Sequence, residues 1–155
     1  NAKKIDIMGG GFGAFSALNG VAFHPELYNC ALLKYALINF FTYIKDAQHY
    51  FKSSLQMMYE KVGNPETDAD QLRAISPVFH ADKIKLPLLI FQGGRDPQAN
   101  ISELKQFVGE LHRRKVPVTY VWKDNERASF KDEHNRTEMY TYIEKFLDSN
   151  MRVKQ

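Results

Sequence analysis

Apolar residues along this chain fall into short continuous runs, separated by stretches in which they recur every three or four positions. The continuous runs predict strands buried on both faces, and the three-to-four spacing predicts helices with one buried stripe. Ile5 to Met8 is a short strand run that stops at Gly9, Gly10 and Gly11, and Phe12 to Val21 follows with the helical spacing of Phe15, Leu18 and Ala22. Asn29 to Ile38 is apolar at nearly every position and predicts a second, fully buried strand. Ala47, Tyr50, Phe51, Leu55, Met58, Tyr59 and Val62 predict one amphipathic helix that ends at Gly63 and Pro65, with a short helix to follow around Asp68 to Ile75.

The second half repeats the alternation. Leu86 to Gln92 is a strand run closed by Gly93-Gly94-Arg95-Asp96-Pro97. Asn100 and Glu103 form a capping-box pattern ahead of the buried stripe of Leu104, Phe107, Val108 and Leu111. Val116 to Trp122 makes the last strand, and the final helix is expected from Asn135 to Asp148, with Met139, Tyr140, Ile143, Phe146 and Leu147 on one face. Four strands alternating with helices predict an α/β fold: a mostly parallel sheet, helices on both sides in three layers, and right-handed crossovers. Neither repeats nor a low-complexity linker interrupt residues 1–155, which read as a single domain.

Composition narrows the functional classes. The chain is 44% hydrophobic and 13% aromatic, enough to bury one substantial core. Its 21 basic and 18 acidic residues are spread along the length, so the net charge of +3 gives no reason to expect a nucleic-acid partner. The basic clusters His112 to Lys115 and Met151 to Lys154 close helical patterns, where cations suit the negative end of the helix dipole. With Cys30 as the single cysteine, an intrachain disulfide and a cysteine zinc cage are excluded; a core position and a reducing, cytoplasmic compartment are expected. The longest apolar stretch, Ala31 to Ile44, carries Lys34 and Asn39 and falls short of the roughly 18 residues of a membrane span, so no membrane association is expected. Asn1-Ala2-Lys3-Lys4 leads into the first strand without the apolar run of a secretory signal. His24, His49, His80 and His112 lack metal-ligand spacing, and neither a metal nor a cofactor is expected.

Chemistry at the mouth of a parallel sheet is carried by residues at the C-terminal ends of strands, and three such ends here hold recognisable sequence. At the first, Gly9, Gly11 and Ala14 satisfy GxGxxA between strand and helix, the pattern of a dinucleotide-binding oxidoreductase module. That fingerprint needs an acidic residue about 20 positions on, and Leu32-Leu33-Lys34-Tyr35-Ala36 offers none. The same segment has the frame of a GxSxG nucleophile elbow, with Gly9 and Gly13 flanking and Gly11 in the serine place. In a third reading, a non-catalytic assembly module, the glycines are a compact turn and Asp96-Pro97 a β-turn.

The second end, Leu86-Pro87-Leu88-Leu89-Ile90-Phe91-Gln92-Gly93-Gly94-Arg95-Asp96, is preceded by Ser76-Pro77-Val78-Phe79-His80-Ala81-Asp82-Lys83-Ile84. The third is Val118-Thr119-Tyr120-Val121-Trp122, followed by Arg127-Ala128-Ser129-Phe130. Taken together, the three resemble the C-terminal half of the catalytic domain of prolyl oligopeptidase family serine peptidases, which have the α/β-hydrolase fold. The resemblance implies hydrolysis of peptide or acyl bonds through an acyl-enzyme. It places Asp96 at the acid position, Gly11 at the nucleophile position, Ala128 at the histidine position and the backbone N–H of Phe12 as an oxyanion donor. Two of these lack the side chain the reaction needs, so the chain as it stands is expected to be inactive. Ser16, Ser129 and His134 are not expected to rescue it.

By the same resemblance the strand Ile5 to Met8 is central in the family's sheet, and the strands that would lie beyond it come before this chain. With them goes the loop supplying the second oxyanion donor, a loss worth about two to three orders of magnitude in rate. The open edge at Ile5 to Met8, with Lys3 and Lys4 at its start, is expected to pair with a second copy in an antiparallel homodimer or with a separately encoded first half. Peptide substrates are implied by the family alone.

Overall fold

The structure is a computed structural model, and it describes residues 5–50, 52–97 and 99–151. Lys3 and Lys4, Phe51, and Arg152 to Lys154 of the second basic cluster lie outside the described residues. Four strands, β1 (Ile7–Gly10), β2 (Ala31–Lys34), β3 (Leu88–Gly93) and β4 (Val118–Lys123), form one sheet in the order β1-β2-β3-β4. All pairings are parallel, with Ile7 opposite Ala31, Ala31 opposite Leu88 and Leu88 opposite Val118. Parallel neighbours need crossovers, and each contains helix. The first is α1 (Phe12–Phe23); the second holds α2 (Phe40–Tyr50), α3 (Leu55–Lys61) and α4 (Ala69–Ile75); the third is α5 (Ile101–Arg113), and α6 (Glu133–Met151) closes the chain.

The sheet separates two apolar clusters, giving the three expected layers. On one side Ala14, Ala17, Leu18 and Val21 of α1 and Leu104, Phe107, Val108 and Leu111 of α5 pack with Ala31, Leu33, Leu88 and Ile90. On the other, Leu32, Leu89, Phe91 and Val121 meet Phe130 and Met139, with Ile143 and Phe146 alongside. Alternate strand residues face opposite ways, so these runs are apolar throughout because both faces are covered. Cys30 is buried as expected, its thiol donating to Asp6 Oδ1 at 3.1 Å. Burial first, and then the neighbouring carboxylate, push that thiol well above its ordinary range, so it is inert core.

Element boundaries differ from the expectation in ways that have physical causes. β1 runs on into Gly9 and Gly10, because ladder pairing uses backbone and continues up to Gly10 opposite Lys34. β2 is much shorter than Asn29 to Ile38: Tyr35 turns out of the strand with φ 39°, and Asn39 Oδ1 accepts the Phe41 N–H at 2.9 Å as α2 begins. The single helix expected from Ala47 to Val62 is instead α2 and α3 with a 3-10 turn, Lys52–Ser54, between them. Serines favour local turns over helix interiors. The end at Gly63 is as expected, with φ 136° and its N–H on the Met58 carbonyl. α6 is longer than Asn135 to Asp148, since Asp132 Oδ1 caps it by accepting the Asn135 N–H at 3.0 Å. Tyr140, expected on its buried face, is exposed.

Candidate active site

A single residue, Gly11, links β1 to α1. Gly11 caps α1 with φ 55° and ψ −119°, a conformation that side chains other than glycine's strain to adopt. A Cβ on Gly9 would stand 2.2 Å from the backbone carbonyl of Gly13, whereas one on Gly13 would meet nothing within 4 Å. Of the two flanking glycines, then, position 9 needs glycine for space and position 13 does not. Phe12 opens α1 with its ring exposed, and its N–H belongs to the first helical turn, where N–H groups lack intrahelical acceptors.

At the end of β2, the Tyr35 N–H donates to the Phe91 carbonyl at 3.0 Å, and its ring lies against Gly10 and Gly11. Beyond β3, Asp96 is 8% exposed, with Gln92 Nε2 at 3.5 Å from its Oδ2. Gln92 is wholly buried; its amide donates to the Gly93 carbonyl at 3.0 Å and its Oε1 has no partner among the described residues. The ends of these three strands border a cavity of about 180 Å³. Gly11, Phe12, Tyr35, Asn39, Thr42, Tyr43, Asp46, Asp96, Asn100 and Glu103 are in its wall, which among the described residues holds three carboxylates and no lysine, arginine or histidine.

One wall is fixed by Glu103. Its carboxylate accepts the Asn39 amide at 2.5 Å and the Thr42 hydroxyl at 2.9 Å, joining the first turn of α5 to the start of α2. Asn100 Oδ1 accepts the Glu103 N–H at 3.1 Å, the forward half of the capping box; the glutamate side chain serves the cavity wall instead of reaching back.

The loop after β4 is bound to the Asp96 loop. Gly94 N–H donates to the Lys123 carbonyl and Arg95 N–H to the Glu126 carbonyl, each at 2.8 Å. A Cβ on Gly93 would stand 2.0 Å from the Arg127 carbonyl oxygen. Glu126 is 3% exposed and accepts the Lys131 N–H at 2.9 Å, the Asp132 N–H at 3.0 Å and the Asn135 amide at 3.0 Å. Burial pushes this carboxyl up, but the bonds from Lys131, Asn135 and Asp132 outweigh it and hold the pKa below the ordinary value.

Of the residues picked out from sequence, Gly11, Phe12 and Asp96 therefore meet around one cavity. Ala128 is half-buried on the adjoining loop and is not in the cavity wall. Ser16 is exposed and bonds back to the Phe12 carbonyl at 3.1 Å, Ser129 is exposed, and His134 lies in solvent, 4.0 Å from Glu138 Oε2. Among the described residues, no group of three or more His, Cys, Asp or Glu is placed to hold a metal ion, and no helix is long and apolar enough to cross a membrane. Sequence reasoning missed Tyr35, Asn39, Thr42, Tyr43 and Asp46. Tyr35 and Asn39 sit in or beside the apolar run of β2, where a polar interruption was the one signal available, and Thr42, Tyr43 and Asp46 lie on α2.

Comparison with known proteins shows the family and the fold. The family model described as the prolyl oligopeptidase family matches residues 1–154. Dipeptidyl aminopeptidase BIII of Pseudoxanthomonas mexicana is 33% identical over 146 residues, 93% of this chain and 21% of that protein. Dipeptidyl peptidase family member 6 of Caenorhabditis elegans is 28% identical over 150 residues, 95% of this chain and 20% of that protein. The chain thus spans about a fifth of the length of the curated relatives it matches. Among solved structures, a Mycobacterium tuberculosis puromycin-hydrolyzing peptidase superposes with a TM-score of 0.86 at 18% identity, over 97% of this chain and 23% of its own. The Pyrococcus horikoshii acylaminoacyl peptidase does so at 0.82 and 15%, over 100% and 25%. This chain belongs to the prolyl oligopeptidase family, as a segment of its α/β-hydrolase peptidase domain.

Proposed function

We propose that this segment is a silent form of the family's peptidase site, one that retains the elbow, the acid and the cavity without the groups that make and break the acyl bond. The observation that carries this reading is the backbone of Gly11: φ 55° and ψ −119° at a strand-to-helix turn, the strained elbow of a hydrolase, with no side chain on it. Acyl transfer needs a nucleophile at that turn and a base to take its proton. Gly11 offers no nucleophile and Ala128 no acceptor. Asp96 is the acid of this reading and the Phe12 N–H its oxyanion donor, both bordering the cavity. What remains is a cavity suited to holding a peptide or acyl ligand without turning it over.

The dinucleotide alternative loses support from the same turn. Its glycines serve to let a pyrophosphate approach the backbone, and here the Tyr35 ring lies against Gly10 and Gly11.

Incubation with a broad fluorophosphonate probe tests the reading. Labelling is expected to stay at the level of a heat-denatured control; stoichiometric labelling at Ser16 or Ser129 overturns it. The double variant Gly11→Ser/Ala128→His is likewise expected to fall short of efficient turnover, and rates comparable with an intact family enzyme would show that these two positions alone silence the site.

A further inference from the structure

Tyr35 is an aromatic residue held at φ 39°, one of two non-glycine residues with positive φ among those described. Side chains other than glycine's avoid this region, and a strained residue at the rim of a cavity signals a contact that the strain makes possible. Here the contact is with the elbow. The Tyr35 N–H is fixed on the Phe91 carbonyl, and the turn carries the side chain across the end of β1. A Cβ on Gly10 would stand 2.6 Å from the Tyr35 hydroxyl oxygen and 2.7 Å from Cζ. On Gly11 it would stand 3.1 Å from Cε2 and 3.5 Å from Cδ2. The ring therefore bridges both positions.

We propose that Tyr35 is the cover of the elbow: its ring crowds the place of a side chain at position 11 and forms the cavity wall beside it. Position 11 is then closed twice, once by having no side chain and once by the tyrosine over it. A ligand entering the cavity meets an aromatic face and a phenol where a hydrolase of this fold presents its nucleophile. The bearing on hydrolase chemistry rests on the silent-site reading above. The contact does not, and the test separates the two.

The test places a thiol at the turn and measures its access. Gly11→Cys and Gly11→Cys/Tyr35→Ala are reacted with a neutral maleimide, with the parent chain, whose only thiol is the buried Cys30, as the baseline. The single variant is expected to react at least about tenfold more slowly than the double variant, as expected of residues in direct contact. Equal rates overturn the proposal. Where Gly11→Cys does not fold, the thermal midpoint of Gly11→Ala is compared in the Tyr35 and Tyr35→Ala backgrounds. A smaller drop in the second supports the cover, and an equal drop refutes it. Maleimide reactivity needs neither catalytic base nor oxyanion donor, so fluorophosphonate labelling of the parent chain would sink the silent-site reading and leave this result standing.

Discussion

Glu126 and Asn135 are joined inside the protein: the Asn135 amide donates to Glu126 Oε1 at 3.0 Å, and both residues are almost fully buried. The same carboxylate holds the Lys131 and Asp132 N–H groups, so one side chain organises the approach to α6.

Glu126→Gln is expected to cost about 2 kcal/mol at neutral pH, because a charged acceptor becomes neutral and one donor loses its partner. The pH dependence has a definite sign. The folded-state pKa lies below the ordinary 4.5, so this contribution is fully present above that value and is lost as pH falls through the folded-state pKa. Urea denaturation of parent and variant at pH 7 and pH 3 checks it: the gap between them shrinks at the lower pH, and a constant gap contradicts the assignment.

Gly9 and Gly13 are equivalent in the motif and opposite in the structure. Gly9→Ala drives a methyl into the Gly13 carbonyl and is expected to cost about 2 to 4 kcal/mol. Gly13→Ala enters open space in a helix and is expected to be neutral or to stabilise by up to about 1 kcal/mol. Thermal unfolding of the two variants decides it, and equal losses would mean that the turn is not as tight as described.

Lys115 ends α5 with φ 62°, its N–H on the His112 carbonyl while Val116 N–H returns to Leu111. This is a glycine's place in a helix terminus. Lys115→Gly is expected to stabilise by about 1 kcal/mol, or roughly 2 to 4 °C in a chain of this size. A fall in midpoint would show that the lysine side chain contributes more than its backbone costs.

β1 ends the sheet among the described residues, and Ile5 and Met8 beside that edge are 45% and 59% exposed. Pairing of two copies there, antiparallel about a twofold axis, would continue the sheet and cover both. Sedimentation of the chain alone separates this homodimer from pairing with a separately encoded first half: a dimer fraction that grows with concentration supports the homodimer. A monomer throughout a wide range, with slowly exchanging Ile7–Gly10 amides, excludes it.

The sheet and its helices were legible in the sequence because strands buried on both faces leave unbroken apolar runs. Leu88, Leu89, Ile90 and Phe91 are all within 1% of complete burial. The tight turns after β1 and β3 were legible because close backbone approach and positive φ demand glycine there. The cavity wall was not. Tyr35 reads as one more apolar strand residue until its φ is known, and Glu103 reads as a helix cap until its carboxylate is seen on Asn39 and Thr42, more than 60 residues away. Local pattern cannot report contacts made across a crossover.

Gly93 has a consequence for how such sequences drift. With the Arg127 carbonyl in the space of its Cβ, no other residue is accommodated without moving the loop after β4, whether or not that loop carries a working base. Selection for folding alone would preserve this glycine long after selection for hydrolysis had ceased. A glycine at this place in a relative is therefore a record of architecture and says nothing about activity.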